Sequence, residues 1–448
     1  MDSVVWCHCA DAHLGYKQYN LPQRLKDFGH AFDTCISLII KQKPDFVVFA
    51  GDLFEHYNPN PPELRQAITI LKKLKNLEEN HREIPIYVIS GNHDVSYSAS
   101  KRYGGDILDF LQDLELIHYL KDSYEIVEKD GQPIALVAGL RFWGKKTPER
   151  LEAFCSENKN ALARDDIPKI LLLHAFLEGT VANYDITPYA LNITPFDYIA
   201  IGHYHMKWPT NFTDQANKIF SSGATEHRTS AEWNHPRGFI TVKAEKNGGK
   251  WAINPTFISY EVREKKLITK DFDLTTANEV IRVTRELIKN NDKKEILLKL
   301  YLTGTLKRGE YSFINLQELK KLAKHALYVD IINHLTFTTI KLTETISDRD
   351  AYLEVLKNTF NIKEQYRDSY LALIENIIRI AEDRDFTQLA TKLLDDFVEK
   401  NPDAIKMPEM GVEPQKAKPK PSTKRAKAVK KRRPSKKLDS FTSKGGNK

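Results

Sequence analysis

Short apolar runs punctuate the first 265 or so residues, and between them apolar side chains return at every third or fourth position. The runs Val4 to Ala10, Asp45 to Ala50, Ile84 to Ser90, Ile134 to Ala138, Lys169 to His174, Tyr198 to Ile201, Lys218 to Ser222 and Gly238 to Val242 read as strands. Gln23 to Lys41 reads as a helix, with Leu25, Phe28, Phe32, Ile36 and Ile39 at helical spacing, and so does Pro62 to Leu77. Strand, helix, strand repetition predicts an α/β layered core.

Further along, the pattern changes. From about 270 to 340 an apolar strand, Ile296 to Leu302, precedes a helix, Leu316 to Ala326, and a strand-like stretch, Tyr328 to Thr338, which predicts a small α+β unit. Asp348 to Glu399 reads as two or three amphipathic helices carrying Leu353, Leu356, Phe360, Tyr370, Leu373, Ile377, Leu389, Leu393 and Phe397. About fifty residues bury little alone, so these helices either pack on the second unit or hold a partner.

The 448 residues include 67 Lys and Arg against 60 Asp and Glu, a net charge of +7, and 41% are hydrophobic. This is a globular composition, which excludes a collagen-like or wholly disordered chain. No apolar run approaches the ~18 residues of a membrane span, and Met1-Asp2-Ser3 does not begin a secretory signal. Cys7, Cys9, Cys35 and Cys155 are too few and too irregular for a disulfide framework. Cys7 and Cys9 share one face of the first strand and read as core thiols, which implies a reducing, cytoplasmic compartment. Residues 414–448 hold 14 Lys and Arg and one acid, Asp439, which is +13 and leaves −6 (+7 less +13) for residues 1–413. The basic balance belongs to a Pro-, Ser- and Lys-rich tail, expected to be disordered and to attract polyanions through counterion release, the alternatives of the same composition being a solubilising tail without a ligand and a nuclear-import signal.

Candidate chemistry sits just after successive strands: Asp11-x-His13, Gly51-Asp52, Gly91-Asn92-His93-Asp94, His174 and Gly202-His203-Tyr204-His205. In an α/β sheet the crevice outside the carboxyl ends of the strands is where ligands gather, so five distant segments can share one pocket. Carboxylates, imidazoles and one amide oxygen suit Mn, Fe, Zn or Co. Seven candidates are too many for one ion, whereas two ions sharing Asp52 would use them all. Glycine before Asp52, Asn92 and His203 lets the backbone turn sharply into a crowded centre.

These segments resemble the five motifs of the calcineurin-like metallophosphoesterases, and the "DxHLG" and "GDLF" variants, Asp11 to Gly15 and Gly51 to Phe54, resemble more narrowly the Mre-eleven/SbcD family of DNA break-repair nucleases. The resemblance implies an α/β fold: a metallophosphoesterase β-sandwich flanked by helices over residues 1–265, a small α+β capping domain at 266–345, partner-binding helices at 346–402 and a disordered basic tail at 403–448. It implies one metal on Asp11, His13, Asp52 and His205 and another on Asp52, Asn92, His174 and His203, with two Mn2+ per subunit. His93, not a ligand, would protonate the leaving oxygen during exonuclease and endonuclease cleavage of DNA, a role for which it must hold a proton near neutral pH. Implied partners are DNA, an ATPase like Rad-fifty or SbcC bound through residues 348–400, and a second copy of the chain. The homodimer seam is expected on Pro62 to Leu77 and Gly105 to Leu116, with Ile68, Leu71, Leu108 and Leu111 as candidates, although an ordinary core face has the same spacing. Leu438 and Phe441 resemble a degenerate sliding-clamp peptide that lacks the usual Gln and second aromatic. A chromosome-associated location follows from these partners.

The chain departs from the family at one place. Three residues after Asp52 the nucleases usually carry His, whereas this chain has Glu55 and then His56. Related protein phosphatases place an acid there, so Glu55 is expected to contact His93 and help it hold its proton; alternatively, Glu55 is exposed and His56 serves as the family histidine. A protein phosphatase would also carry Asp-Arg-Gly after the second motif, which is missing here, and a nucleotidase gives no use for the basic arm.

Overall fold

The computed structural model describes residues 3–75, 83–95, 105–211, 217–307, 314–337, 352–353, 356, 362–379 and 386–402. The basic tail, with Leu438 and Phe441, falls outside them, as does the 345/346 boundary. The chain divides into two compact units, residues 1–340 and 341–448.

In the first unit the strands are β1 (Ser3–Cys9), β2 (Phe46–Phe49), β3 (Ile86–Val88), β4 (His118–Tyr119), β5 (Ser123–Lys129), β6 (Gln132–Gly139) and β7 (Lys169–His174). They continue as β8 (Tyr198–Gly202), β9 (Ile219–Ser221), β10 (Arg237–Asn247), β11 (Lys250–Tyr260), β12 (Lys265–Thr275), β13 (Leu297–Leu306) and β14 (Tyr328–Phe337). Three sheets result, ordered β11-β10-β1-β2-β3-β4, β5-β6-β7-β8-β9 and β12-β13-β14.

The first two sheets pack face to face, and the alternation of side chains along each strand explains why. On β1, Val4 and Trp6 enter the layer between the sheets, where Trp6 stacks on Phe46 at 5.8 Å and meets the edge of Tyr198 at 5.4 Å. Cys7 and Cys9 face the other way, onto Phe32, Cys35 and Ile36 of the helix Pro22–Gln42. Burial pushes the Cys7 thiol up to about 12, so this is an inert core thiol. On β7, Ile170 and Leu172 point inward while Leu171 and Leu173 meet the outer layer around the helix Thr147–Glu157. Strands buried on both faces read as unbroken apolar runs, as these do.

The layered α/β core, its main strands and the two long helices agree with the reading from sequence. Other elements differ. The strands β5, β11 and β12 and the helix Ala277–Asn291 extend the sheets beyond what the apolar runs predict. The helix expected at Leu316 to Ala326 ends at Lys320, because Asp292 draws the backbone N–H groups of Lys324, His325 and Ala326 onto its carboxylate at 2.8 to 2.9 Å. Leu71, Leu108 and Leu111 are buried in the core of their own chain, so their spacing reflects an ordinary core face. On the helix Ile107–Asp113 and just past it, Phe110 and Leu114 are the exposed apolar residues. No described helix is long and apolar enough to cross a membrane.

The second unit contains the helices Glu364–Arg379 and Phe386–Lys400, held by Tyr370 against Phe397 with ring centroids 4.7 Å apart. Ile378, Leu394 and Val398 are about half exposed, at 52%, 46% and 46%.

Candidate metal centre

Strands β1, β2 and β3 run parallel, as do β6, β7, β8 and β9, so in each sheet the carboxyl ends line up. Pairing continues beyond the strands: Asp11 N–H donates to the Gly51 carbonyl at 3.0 Å and His13 N–H to the Asp52 carbonyl at 3.1 Å. The loops after β1 and β2 therefore advance together, with the loops after β7 and β8 beside them.

The chain turns back on itself at this point. Asp11, His13, Asp52 and His203 all have left-handed backbone, with φ of 54°, 45°, 56° and 83°, a conformation that costs a non-glycine residue on the order of 1–3 kcal/mol. A side chain at Gly202 would run into the Ala50 carbonyl oxygen, and one at Gly51 (φ 90°) would lie 2.5 Å from His174 Nδ1. Glycine at both places is required by this close approach.

Three groups of ligand atoms form, each within 4.8 Å: first Asp11 with His13 and His205, second Asp52 with His174 and His203, and, sharing His13 with the first, Glu55 with His93. Asn92 Oδ1 approaches the second group, 3.2 Å from His174 Nε2. Asp52 lies between the first two: its Oδ2 is 3.2 Å from His174 Nε2 and 3.8 Å from His13 Nε2. That oxygen is buried without an aligned hydrogen bond, and His13 Nε2 faces His205 Nε2 at 3.1 Å. A buried carboxylate oxygen without an aligned hydrogen bond, set among imidazole nitrogens crowded to 3.1 and 3.2 Å, fits a pair of divalent cations. All seven ligand candidates, Asp11, His13, Asp52, Asn92, His174, His203 and His205, thus come together.

The electrostatics agree. Burial opposes a charge on Asp52, but His174 beside it holds the carboxyl well below the usual range. Burial likewise works against His174⁺, yet Asp52 prevails and lifts the imidazole to about 9. Burial and His174 push His203 down to about 2, and burial also lowers His13. Without metal, the pocket therefore holds a proton on His174 that ligation must displace. Burial opposes a proton on His205 as well, yet Glu232 and Asp11 lift it, so apparent metal affinity should rise with pH while these imidazoles hold protons and level off once they are neutral. Calorimetric metal titrations in buffers of different ionisation heat would count the released proton; a pH-independent affinity would contradict this account.

His93 and Glu55 adjoin the first group. His93 Nδ1 donates to the Glu55 backbone carbonyl at 2.8 Å, and the Glu55 carboxylate is 3.8 Å away. The expected contact exists, but the carboxylate's nearer partners are others. Its Oε1 accepts from Arg228 Nη2 at 2.7 Å, and its Oε2 lies 3.0 Å from His13 Nδ1, off the line of a hydrogen bond. Glu55 is buried, whereas His56 is exposed.

Three further residues have roles here: Asp94, which lies in the third motif without a role read from its sequence, and Glu232 and Arg228, which belong to no metal-ligand motif. Asp94, fully buried, accepts the backbone N–H groups of Asp52 and Phe54 at 2.8 Å and of Gly91 at 2.9 Å, tying the second motif to the third. Burial and the charge on Asp52 raise it to about 7. Glu232 approaches His205 Nδ1 at 3.4 Å, and Arg228 reaches Glu55 across 173 residues. The one local signal is Thr229-Ser230-Ala231-Glu232, a capping-box pattern that forms here on a single 3-10 turn. Asp94→Ala would strand three interior N–H donors, at ~1–3 kcal/mol for each buried group left unsatisfied. A marked drop in the urea midpoint together with lost metal binding is expected; an unchanged midpoint would remove Asp94 from this role.

Comparison with known proteins gives the same picture. The calcineurin-like phosphoesterase family matches residues 7–207. The DNA double-strand break repair protein Mre11 of Methanococcus maripaludis is 28% identical over 81% of this chain and 86% of its own length. That of Methanocaldococcus jannaschii is 33% identical over 50% of this chain and 57% of its own. That of Saccharolobus solfataricus is 25% identical over 84% and 94%. With its five ligand-bearing segments in this order at strand ends, the chain is similar over residues 7–207 to the calcineurin-like phosphoesterases and over most of its length to archaeal Mre11 proteins.

Proposed function

We propose that the chain is a manganese-dependent DNA nuclease of double-strand-break repair, cleaving phosphodiesters at duplex ends and internally. The observation that carries this reading is the position of His93: partly exposed at 24%, outside the groups formed around Asp11 and Asp52 though grouped with His13 and Glu55, and held beside them by its own backbone N–H on Asp52 Oδ1 at 2.9 Å. Bound at Asp11, His13, Asp52 and His205 and at Asp52, Asn92, His174 and His203, two divalent ions would supply Lewis-acid charge for the phosphate and activate the attacking water. His93 supplies the proton. Its Nδ1 is committed to the Glu55 carbonyl, so Nε2 is the atom that delivers a proton to the departing oxygen. Asp94 keeps Asp52 and His93 in register, and the aromatic rings of Phe142 and Phe176, 5.4 and 3.7 Å from the His203 ring, exclude water from that side.

A coiled-coil ATPase of the Rad50 kind would dock on residues 348–400, where Ile378, Leu394 and Val398 supply apolar area. A homodimer would use Phe110 and Leu114, and the tail would bind DNA or, through Leu438 and Phe441, a clamp. The capping domain is the sheet β12-β13-β14 with its helices.

One observation favours a second reading, a phosphomonoesterase: an acid at position 55 paired with a guanidinium, Arg228, beside the pocket. Purified protein given Mn2+ with linear duplex DNA, and separately with a phosphomonoester dye, distinguishes them. Degradation of the duplex at the higher kcat/KM is expected; preference for the dye would replace the nuclease by the phosphatase.

A further inference from the structure

Residues 1–413 carry a net −6, so this body attracts a polyanion only where its surface runs against that average. The loop after β6 does so. Residues 141–150 hold Arg141, Lys145, Lys146 and Arg150 against one acid, Glu149, with Phe142 and Trp143 among them. Because β6 lies beside β7 in the sheet, this loop forms the rim next to the second ligand group. Its backbone is tied to both sheets. Leu140 N–H donates to the Leu172 carbonyl, and Phe142 N–H to the carbonyl of Ser90, the residue before Gly91, each at 3.1 Å. The Phe142 ring then lies 5.4 Å from the ring of His203.

Trp143, the next residue, is pinned by its edge. Asp122 Oδ1 accepts from the indole Nε1 at 3.1 Å and from the backbone N–H of Arg141 at 3.0 Å. Its Oδ2 accepts from Arg141 Nε and Nη2 at 3.2 and 2.7 Å. Asp122 therefore offsets the charge of Arg141 and fixes the plane of the indole, which is half-buried. The Arg150 guanidinium lies 4.1 Å from the centre of that ring. Lys145 donates to the Tyr184 carbonyl and sits over the Tyr184 ring at 5.3 Å, joining this loop to the one after β7. Asp122 with Arg141 suffices to hold the loop in place. That role gives no use to Lys145, Lys146 and Arg150, all exposed around the indole.

A flat ring or guanidinium bordered by cations is the chemistry that holds a single nucleic-acid strand without reading its sequence. Bases stack on the flat groups, and phosphates meet the cations. A base within a duplex already has a neighbour on each face, so only an unpaired one can use Trp143. An acidic peptide would engage the lysines and leave the stack idle.

We infer that this loop is a shelf for single-stranded DNA leading into the metal pocket: a base joins the Trp143–Arg150 stack, and Lys145 and Lys146 take the phosphates beside it. The inference rests on the reading of the chain as a nuclease and adds that the strand on the side of the second ligand group is bound unpaired. Trp143 is then a specificity-determining residue set apart from the reacting atoms.

The test is equilibrium binding by the full-length protein in chelator, so that nothing is cut, at about 200 mM salt to mute the basic tail. The probes are an oligo-dT of about 12 nucleotides, an abasic strand of the same length and a blunt hairpin duplex. Trp143→Ala should weaken oligo-dT binding roughly 5- to 100-fold and leave the abasic strand and the hairpin as they were. Lys145→Ala combined with Lys146→Ala should weaken oligo-dT and the abasic strand alike, and flatten the salt slope by about 1.4, the share of two phosphates on a single strand. Both lysines are exposed, so this variant tests the shelf even if Trp143→Ala does not fold. With Mn2+, hydrolysis of a small phosphodiester dye, too short to reach the shelf, should be unchanged in both. Wild-type affinity for oligo-dT in either folded variant would overturn the inference. So would an equal loss for oligo-dT and hairpin in Trp143→Ala, which would make the loop a duplex contact. A wild type that cleaves no DNA with Mn2+ would instead remove the nuclease reading itself.

Discussion

His93→Leu is expected to lower kcat for DNA cleavage by about 10²- to 10⁴-fold, the range in which a positioned general acid contributes, with two Mn2+ still bound per chain. The reason is in the connections of this imidazole. Its backbone N–H is on Asp52, its Nδ1 on the Glu55 carbonyl, and its ring meets His13 edge-on with centroids 5.1 Å apart. Leucine preserves the backbone bond and roughly the volume, so Asp52 stays oriented, while nothing is left to protonate the departing oxygen. The loss should therefore fall on kcat rather than on KM, and a substrate with a better leaving group should recover part of it. If metal binding fell with activity, His93 would be a ligand, and the division of roles proposed for the pocket would be wrong.

Deleting residues 414–448 is expected to have the other large effect, on binding rather than chemistry. The arm carries +13 while the remainder carries −6, so without it long-range attraction to DNA is reversed. If about five of its cations sit on phosphates, the slope of log K against log salt flattens by about 4.5, and low-salt affinity falls on the order of 10²-fold or more. Turnover at saturating DNA, set by the metal centre, should be unchanged. Equal salt slopes for full-length and truncated protein, in fluorescence anisotropy from 50 to 200 mM salt, would show that the arm does not touch DNA.

Much of the candidate site could be read from the chain because its parts lie at strand ends. The runs that form β1, β2, β3, β7 and β8 are apolar on both faces, so their ends are sharp, and the polar residues that follow can only be in the crevice. Asp11, Asp52, Asn92 and His203 stand out for that reason. The edge strand β11, Lys-Trp-Ala-Ile-Asn-Pro-Thr-Phe-Ile-Ser-Tyr, is partly exposed along its length; pairing with β10, not its own pattern, makes it a strand. The charged sequences of β5 and β12 were hidden in the same way. Arg228 and Glu232 escaped notice for a different reason: their partners are Glu55 and His205, and a contact across 173 residues leaves no periodicity to detect. Leu71 and Leu108 show the limit from the other side, since a face that packs on its own core and one that packs on a partner have the same spacing.

The left-handed residues at the metal centre also bear on how such a protein changes under selection. Asp11, His13, Asp52 and His203 hold a conformation that glycine, and to a lesser degree asparagine, adopts with less strain. A library randomised at these four positions and sorted only for resistance to heat, in a chelator, should enrich glycine and asparagine and so drift toward stable, inactive proteins. Sorted for cleavage, the same library should return to aspartate and histidine at lower melting temperature. Wherever the activity is not needed, this centre should be among the first parts of the molecule to decay.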